Sequence, residues 1–437
     1  MNIINFIHEL TWEDIPREVR NQARRCLLDT LGTAINARET PASQIIHDFS
    51  AMVFQGQGAY LWQDGRMVSP SGAALANGIT IDSLDIHDGH KLTKGHAGAA
   101  IVPALFATVA LSDEKTISGK ELLTSLVVGY EIALRAGIAL HKTVPDFHSS
   151  GAWNALGCAA ITSRRLLLTE IQTNEALGIA EYYGPRSQIM RVVDNPSMLK
   201  DGSGWGAMTG ISAGLLAANG FTGAPALTVE TPDVNDIWTD LDDNWRIMEV
   251  YFKPYGVCRW AQPAIACVLG LQKKYQIDPK LINKIKVFTF NTATHLTTRH
   301  PQSTDQAQYS LPYPVAAALV YGRLGSQELS GESLHNPLVL RLADCVEMVD
   351  DPLLSKRFPA ERIACVMIET IDGQVYQTAE TSARWDPEDP PTDAELLEKF
   401  RWLAGTHLKL EDVTELERLI WNCAELDDAR VIESRLI

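Results

Sequence analysis

The 437-residue chain is short of positive charge: 38 Lys and Arg stand against 54 Asp and Glu, a formal net charge of −16. So acidic a balance argues against a general nucleic-acid or anionic-membrane binder, which needs a basic face. An anionic small molecule stays admissible, because a pocket can be locally basic on an acidic protein. No C-x-x-C occurs, and the seven cysteines (Cys26, Cys158, Cys258, Cys267, Cys345, Cys365, Cys423) are odd in number. That pattern reads as reduced, buried thiols in a cytoplasmic protein and not as a disulfide framework. The opening MNIINFIHELTWEDIPREV has early acids and no basic start before an apolar block, so it does not read as a signal peptide. Two stretches are free of charge, Ala97–Ser112 and Gly202–Val229. The first is too short to span a bilayer and contains Pro103; the second is diluted by glycines, Asn219, Ser and Thr. Both are expected as buried helices of a soluble protein. Internal repeats and low-complexity tracts are also lacking.

What is present is enough apolar sequence to build a core: 46% hydrophobic against 21% charged residues. Residues 16–37 place Val19, Ala23, Cys26, Leu27, Thr30 and Leu31 on one side at helical spacing, behind Pro16. Helical patterns continue over 69–82, 97–111, 118–141, 150–168, 173–183 and 204–219. Their faces are rich in Ala, Gly and Ser, which lets helices approach closely. No convincing strand appears before about residue 245. Beyond the acidic, turn-rich 231–245 stretch, KIKVFTF (284–290) alternates, and 362–381 reads as two strands around Asp372-Gly373. Helices are expected at 261–275 and 312–323. After WDPEDPP, Thr392 and Glu395 form a capping-box signature. The expectation is a large all-α domain over 1–244, completed by 392–437, and a smaller α+β domain over 245–391.

The densest polar cluster runs Asp82-Ser-Leu-Asp85-Ile-His87-Asp88-Gly-His90-Lys91-Leu-Thr-Lys94-Gly95-His96 and leads directly into an apolar helix. It can be read as a solvated capping loop, as a metal site built on His87, His90, His96 and the aspartates, or as a metal-free acid/base wall. The spacing matches no standard zinc pattern. His148, at the start of a small-residue helix, fits either a cap or a catalytic group. Lys200 precedes a Gly-rich turn into a helix, a place where carboxylates can bind; its glycines lack dinucleotide spacing. Lys253 and Arg259 sit in the aromatic segment 251–260. A cation buried there needs an anion, either a structural acid or a substrate carboxylate. Cys258, beside Arg259, is a nucleophile only if its pKa is lowered.

These pieces together resemble the MmgE/PrpD family of 2-methylcitrate dehydratases, cis-aconitate decarboxylases and iminodisuccinate epimerases. Leu84-Asp85-Ile86-His87-Asp88-Gly89-His90, then His96, then Ala99-Ala100-Ile101-Val102-Pro103-Ala104, is similar to the family's L-D-x-D-D-T-H, His and A-A-x-V-P-A. Phe147-His148, Met198-Leu199-Lys200, Gly220-Phe221-Thr222-Gly223, Phe252-Lys253-Pro254-Tyr255 and Tyr309-Ser310-Leu311-Pro312-Tyr313 follow in family order. The chain departs at Gly89, where the pattern has Thr, and at Cys258 and Gln262, where some members carry His. The resemblance implies a homodimer with a metal-free pocket between the domains, needing no cofactor. It places Asp85, His96, His148, Lys200 and Lys253 at catalytic positions.

The reaction expected is carbanion chemistry on a di- or tricarboxylate. Lys200, Lys253 and Arg259 would hold carboxylates, His96 and His148 would share base and acid roles, Asp85 would orient a His, and Lys94 would serve in either role. His90, Cys258 and Gln262 are further candidates for substrate contact. By family analogy, a 2-methylcitrate dehydratase-like reaction is the first expectation. Decarboxylation or epimerisation on the same scaffold, a metallohydrolase on the His-rich loop, and a non-catalytic polycarboxylate binder are the alternatives.

Overall fold

The computed structural model describes residues 1–111 and 116–437; Ser112, at the end of the first charge-free stretch, lies outside the described residues. Helices fill the first half: Arg17–Ala37, Pro41–Val53, Pro70–Asp82, Gly98–Val109, Gly119–Thr143, Gly151–Arg165, Glu170–Tyr183 and Ser203–Ala218. Small residues bring their axes together. A Cβ placed on Gly206 would lie 2.5 Å from the Gly151 carbonyl oxygen, and one on Gly210 would lie 2.4 Å from the Cys158 Cβ. The Ser203–Ala218 and Gly151–Arg165 helices therefore pack backbone to backbone. Gly119–Thr143 is long and apolar enough to cross a membrane, and 94% of its most apolar stretch is buried inside the bundle. Gly98–Val109, from the first charge-free stretch, is buried throughout. The second stretch is helical only to Ala218 and continues as loop and short helix.

The chain then builds a second core. Strand Ile282–Thr289 lies between Val346–Asp350, which it pairs with in parallel, and Ile363–Thr370, which it pairs with antiparallel. Ile285, Val287 and Thr289 are buried on one strand and Ala364, Val366 and Ile368 on the other, the period-two burial of a half-covered sheet. The Asp372-Gly373 turn is present, with Gly373 at φ +84°, and leads into Val375–Gln377. Helices Gln262–Tyr275 and Pro312–Tyr321 supply apolar side chains to this core. The architecture is a large helical domain beside a smaller α+β domain. Asp393–Ala404, opened by the Thr392–Glu395 capping box, returns to the helical part. There the Lys399 ammonium pairs with Asp29, and Phe400 covers Gly32.

Several details differ from the sequence reading, strand Val346–Asp350 among them, in a region read as helical. Helix Pro41–Val53, capped by the Thr40 hydroxyl, was not expected. Two-residue strands also occur early: Ala59–Tyr60 pairs with Met67–Val68, and Gly89–His90 pairs with Val250–Tyr251. Strands this short carry no alternation to detect. The second pair matters, because it fastens the polar cluster to the segment that leads into the α+β domain.

Candidate active site

The turn after helix Pro70–Asp82 is held in unfavourable backbone. Asp85 and Lys94 both have φ +54°, and Lys200 has φ +47°. For residues with a Cβ each costs about 1–3 kcal/mol and persists only where surrounding contacts dictate it. The contacts are visible. Lys399 Nζ donates to the Ile86 carbonyl at 2.7 Å, and Gln308 Nε2 donates to the Ser83 and Leu84 carbonyls at 3.1 and 2.9 Å. Both domains thus clamp the loop that carries Asp85.

Asp85, Lys94, His96, Lys253, Cys258 and Arg259 all line one cavity of about 300 Å³, together with Asp201, Tyr251, Tyr309 and Arg362. A more open hollow of about 980 Å³ around Lys273, Arg323 and Trp402 contains none of the expected residues. His96 is the best-positioned proton carrier. Its Nδ1 is 2.5 Å from the Asp88 carbonyl oxygen. A carbonyl only accepts, so Nδ1 carries a hydrogen and Nε2 is the reactive nitrogen. Nε2 lies 3.6 Å from Asp85 Oδ1 and 3.8 Å from Asp201 Oδ2. The backbone of His96 is fixed as well: its N–H donates to Ser150 Oγ at 3.0 Å, and its carbonyl accepts from Asn154 Nδ2 at 2.8 Å.

Charges in the cavity are unequal. Burial works to raise the Asp85 pKa, but the Lys253 ammonium on its carboxylate, with His96 beyond, holds it below the usual value. Lys253 is correspondingly raised despite its own burial. Asp82 and Asp201 lack such a cation, and burial pushes both up. Asp201 accepts from Ser150 Oγ at 2.8 Å, and Asp82 from the Ser203 N–H at 3.1 Å. Burial and the neighbouring Arg362 push Lys94 down to about 8.

Asp85, His87 and His96 offer donor atoms within 4.8 Å of one another. An ammonium already occupies that carboxylate, however, and its charge opposes a metal cation there. His90 does not join the group expected from sequence, because its Nε2 pairs with Glu249 at 3.1 Å. His87 is fully buried beside His96, ring centroids 4.5 Å apart, and burial keeps it well below its usual pKa and neutral.

Four expected site residues stand outside the cavity lining. Lys200 donates to Gln308 and pairs with Asp305 at 3.0 Å, behind Tyr309. His148 lies against His141, rings stacked 6.5 Å apart, and its backbone N–H donates to His141 Nε2 at 3.0 Å. Gln262 ties its own segment, donating to the Tyr255 and Val257 carbonyls at 2.9 and 3.1 Å. His90 is the fourth. Arg259 reaches the lining but is largely spent on Asp386 and the Phe252 and Arg384 carbonyls. The Cys258 thiol is pushed up to about 12 by burial and the nearby Asp85, the opposite of the shift a nucleophilic thiol needs.

Sequence reasoning passed over Asp201, Tyr251 and Arg362. Arg362 opens strand Ile363–Thr370 and looked like an ordinary strand entry. Tyr251 explains a departure: a Cβ on Gly89 would lie 2.5 Å from the Tyr251 hydroxyl. The tyrosine ring occupies the room that a threonine at 89 would need.

The MmgE/PrpD N-terminal domain matches residues 1–242 and the MmgE/PrpD C-terminal domain residues 255–425. The chain belongs to the MmgE/PrpD family. It is 25% identical to a cis-aconitate decarboxylase of Aspergillus terreus, across 98% of this chain and 93% of that protein. It is also 25% identical to the cis-aconitate decarboxylase of Homo sapiens, across 98% and 92%. Identity to the 2-methylcitrate dehydratase of Salmonella typhimurium is 22%, across 86% and 83%.

Proposed function

We propose that this protein is a lyase that works on a small polycarboxylate through a carbanion, with His96 Nε2 moving the proton and no metal required. Decarboxylation is the reading the geometry supports best. One C–C bond breaks, carbon dioxide leaves without the bonding pair, and the pair stays on a carbon beside an unsaturated or carboxylate group. A proton from His96 Nε2 then closes the reaction. This needs a single proton donor, and His96 is the only imidazole in the lining among the described residues. That observation carries the proposal. Asp85 and Asp201 flank Nε2 at 3.6 and 3.8 Å and orient the ring. Lys253 keeps Asp85 ionised, and the cations of the lining spread the developing charge. The broader coverage of the decarboxylase relatives agrees with this choice.

Dehydration is the second reading, favoured by one observation. Asp201, raised by burial and 3.8 Å from Nε2, can hold a proton for a leaving hydroxyl while His96 acts as base.

The experiment is incubation of the purified full chain with unsaturated and hydroxylated di- and tricarboxylic acids in D2O, followed by NMR. Loss of a carboxyl carbon with one deuterium incorporated supports decarboxylation. An alkene formed from a hydroxy acid supports dehydration. No consumption and no exchange at carbon across the panel would overturn the lyase reading.

A further inference from the structure

Arg362 is 6% exposed, yet its Nε and Nη1 have no hydrogen-bond partner. Both are buried donors of a guanidinium, a costly arrangement unless a ligand completes it. Its visible contact is the Tyr251 ring, 5.9 Å away. Lys94 lines the same cavity; its Nζ donates to the Lys91 carbonyl at 2.7 Å and lies 5.2 Å from the Phe147 ring centroid. Neither cation forms an ion pair with a carboxylate among the described residues. The other cations near the site are committed: Lys253 to Asp85, Arg259 to Asp386 and Lys200 to Asp305.

The lining away from these cations divides into a polar part, with Asp85, His96, Asp201 and Tyr309, and an apolar part. Ile189, Met190 and Val193 form one group, and Trp260 packs edge-on to Phe358 with ring centroids 5.9 Å apart. A molecule with a carboxylate at every position would leave these side chains facing charge.

We propose that Arg362, with Lys94, anchors the substrate carboxylates, and that the apolar wall selects a dicarboxylate bearing an alkyl substituent over an unsubstituted tricarboxylate. This rests on the lyase reading of the site, and it names the substrate class. Two uncommitted cations match two carboxylates. A third carboxylate would meet Ile189, Met190, Val193 or the Trp260–Phe358 pair and lose its water for nothing in return, or face the Asp85 and Asp201 carboxylates. Arg362 is bidentate by geometry and suits a planar carboxylate.

Binding is measured by calorimetry on the full chain, so that the result does not depend on turnover. The probes are succinate, its 2-methyl, 2-propyl and 2-pentyl derivatives, and the tricarboxylates cis-aconitate and citrate. Affinity should rise by about three- to fourfold per added methylene until the cavity of about 300 Å³ is full, and the alkyl dicarboxylates should outbind both tricarboxylates. Arg362→Gln should lose at least tenfold for every probe, whereas Arg362→Lys, which keeps the charge, should lose less. Trp260→Ala should flatten the chain-length dependence and leave succinate binding in place. Tricarboxylates binding tightest, or Arg362→Gln binding unchanged, would overturn the proposal. Turnover of cis-aconitate without alkyl selectivity would remove this inference and keep the lyase reading; alkyl-dependent binding with no turnover of any acid would do the reverse.

Discussion

The Lys253 ammonium sits on the Asp85 carboxylate and also donates to the Asp85 backbone carbonyl at 3.1 Å. The two residues are 168 positions apart, and both are buried. One contact thus joins the polar loop of the helical domain to the entry of the α+β domain and sets the charge of a carboxylate facing His96. Removing either partner leaves an uncompensated buried charge. Lys253→Met or Asp85→Asn should each cost about 3–5 kcal/mol of stability, and the double variant less than the sum. Urea unfolding of the four proteins in the cycle measures this; strict additivity would show that the pair is not coupled.

His96→Gln should lower turnover by about 10²–10⁴-fold with an unchanged melting temperature. His148→Gln should have a much smaller effect, because its ring packs on His141 outside the cavity lining. Equal losses in the two variants, measured as kcat on the substrate that the NMR panel identifies, would contradict the placement.

Gly89→Thr should destabilise the protein by about 1–3 kcal/mol, because the new Cβ would lie 2.5 Å from the Tyr251 hydroxyl. Adding Tyr251→Ala should recover part of that loss. Thermal melts of both singles and the double test it: without a clash, the double would melt lower than either single.

Asp88 is buried, accepting from the Tyr130 hydroxyl at 2.8 Å and the Gly98 N–H at 3.3 Å. Burial, with Asp29 nearby, pushes it up to about 6. Between its unfolded value near 4 and that value, the folded state holds more protons than the unfolded one, so this residue's contribution to stability falls as pH rises through that window. Asp88→Asn should therefore gain stability relative to the parent from pH 4 to pH 6, by about 3 kcal/mol at the upper end. Denaturant midpoints across that range give the slope, and a constant difference between the two proteins would refute the shift.

Cys258→Ala should keep activity within a few fold, since a thiol pushed up to about 12 is neither ionised nor nucleophilic at neutral pH. Iodoacetamide should react slowly at this position, as read by mass spectrometry of the intact chain. Rapid alkylation coupled to inactivation would reinstate the nucleophile.

Much of the fold was legible because its signals are local. Apolar spacing of 3.6 residues placed most first-half helices, though not Pro41–Val53, and the Asp372-Gly373 turn and the Thr392–Glu395 box appear where their residue types predict. Boundaries slipped where a cap outside the apolar pattern began the element: Glu170–Tyr183 starts at the Thr169 box, ahead of residue 173. The Gly89–His90 and Val250–Tyr251 pair could not be read, since neither half has length enough for alternation.

The chain's own chemistry was enough to mark Asp85, His96 and Lys253 as reactive types in a polar run and an aromatic segment, because composition and spacing are properties of the covalent chain. Which cations remain free was decided only by packing. Lys200 is consumed by Asp305 and Gln308, and Arg259 by Asp386, while Arg362 is left unpartnered beside Lys94. A charge becomes available to a ligand when no fixed partner neutralises it, and partners more than 100 residues away are brought near only by the fold.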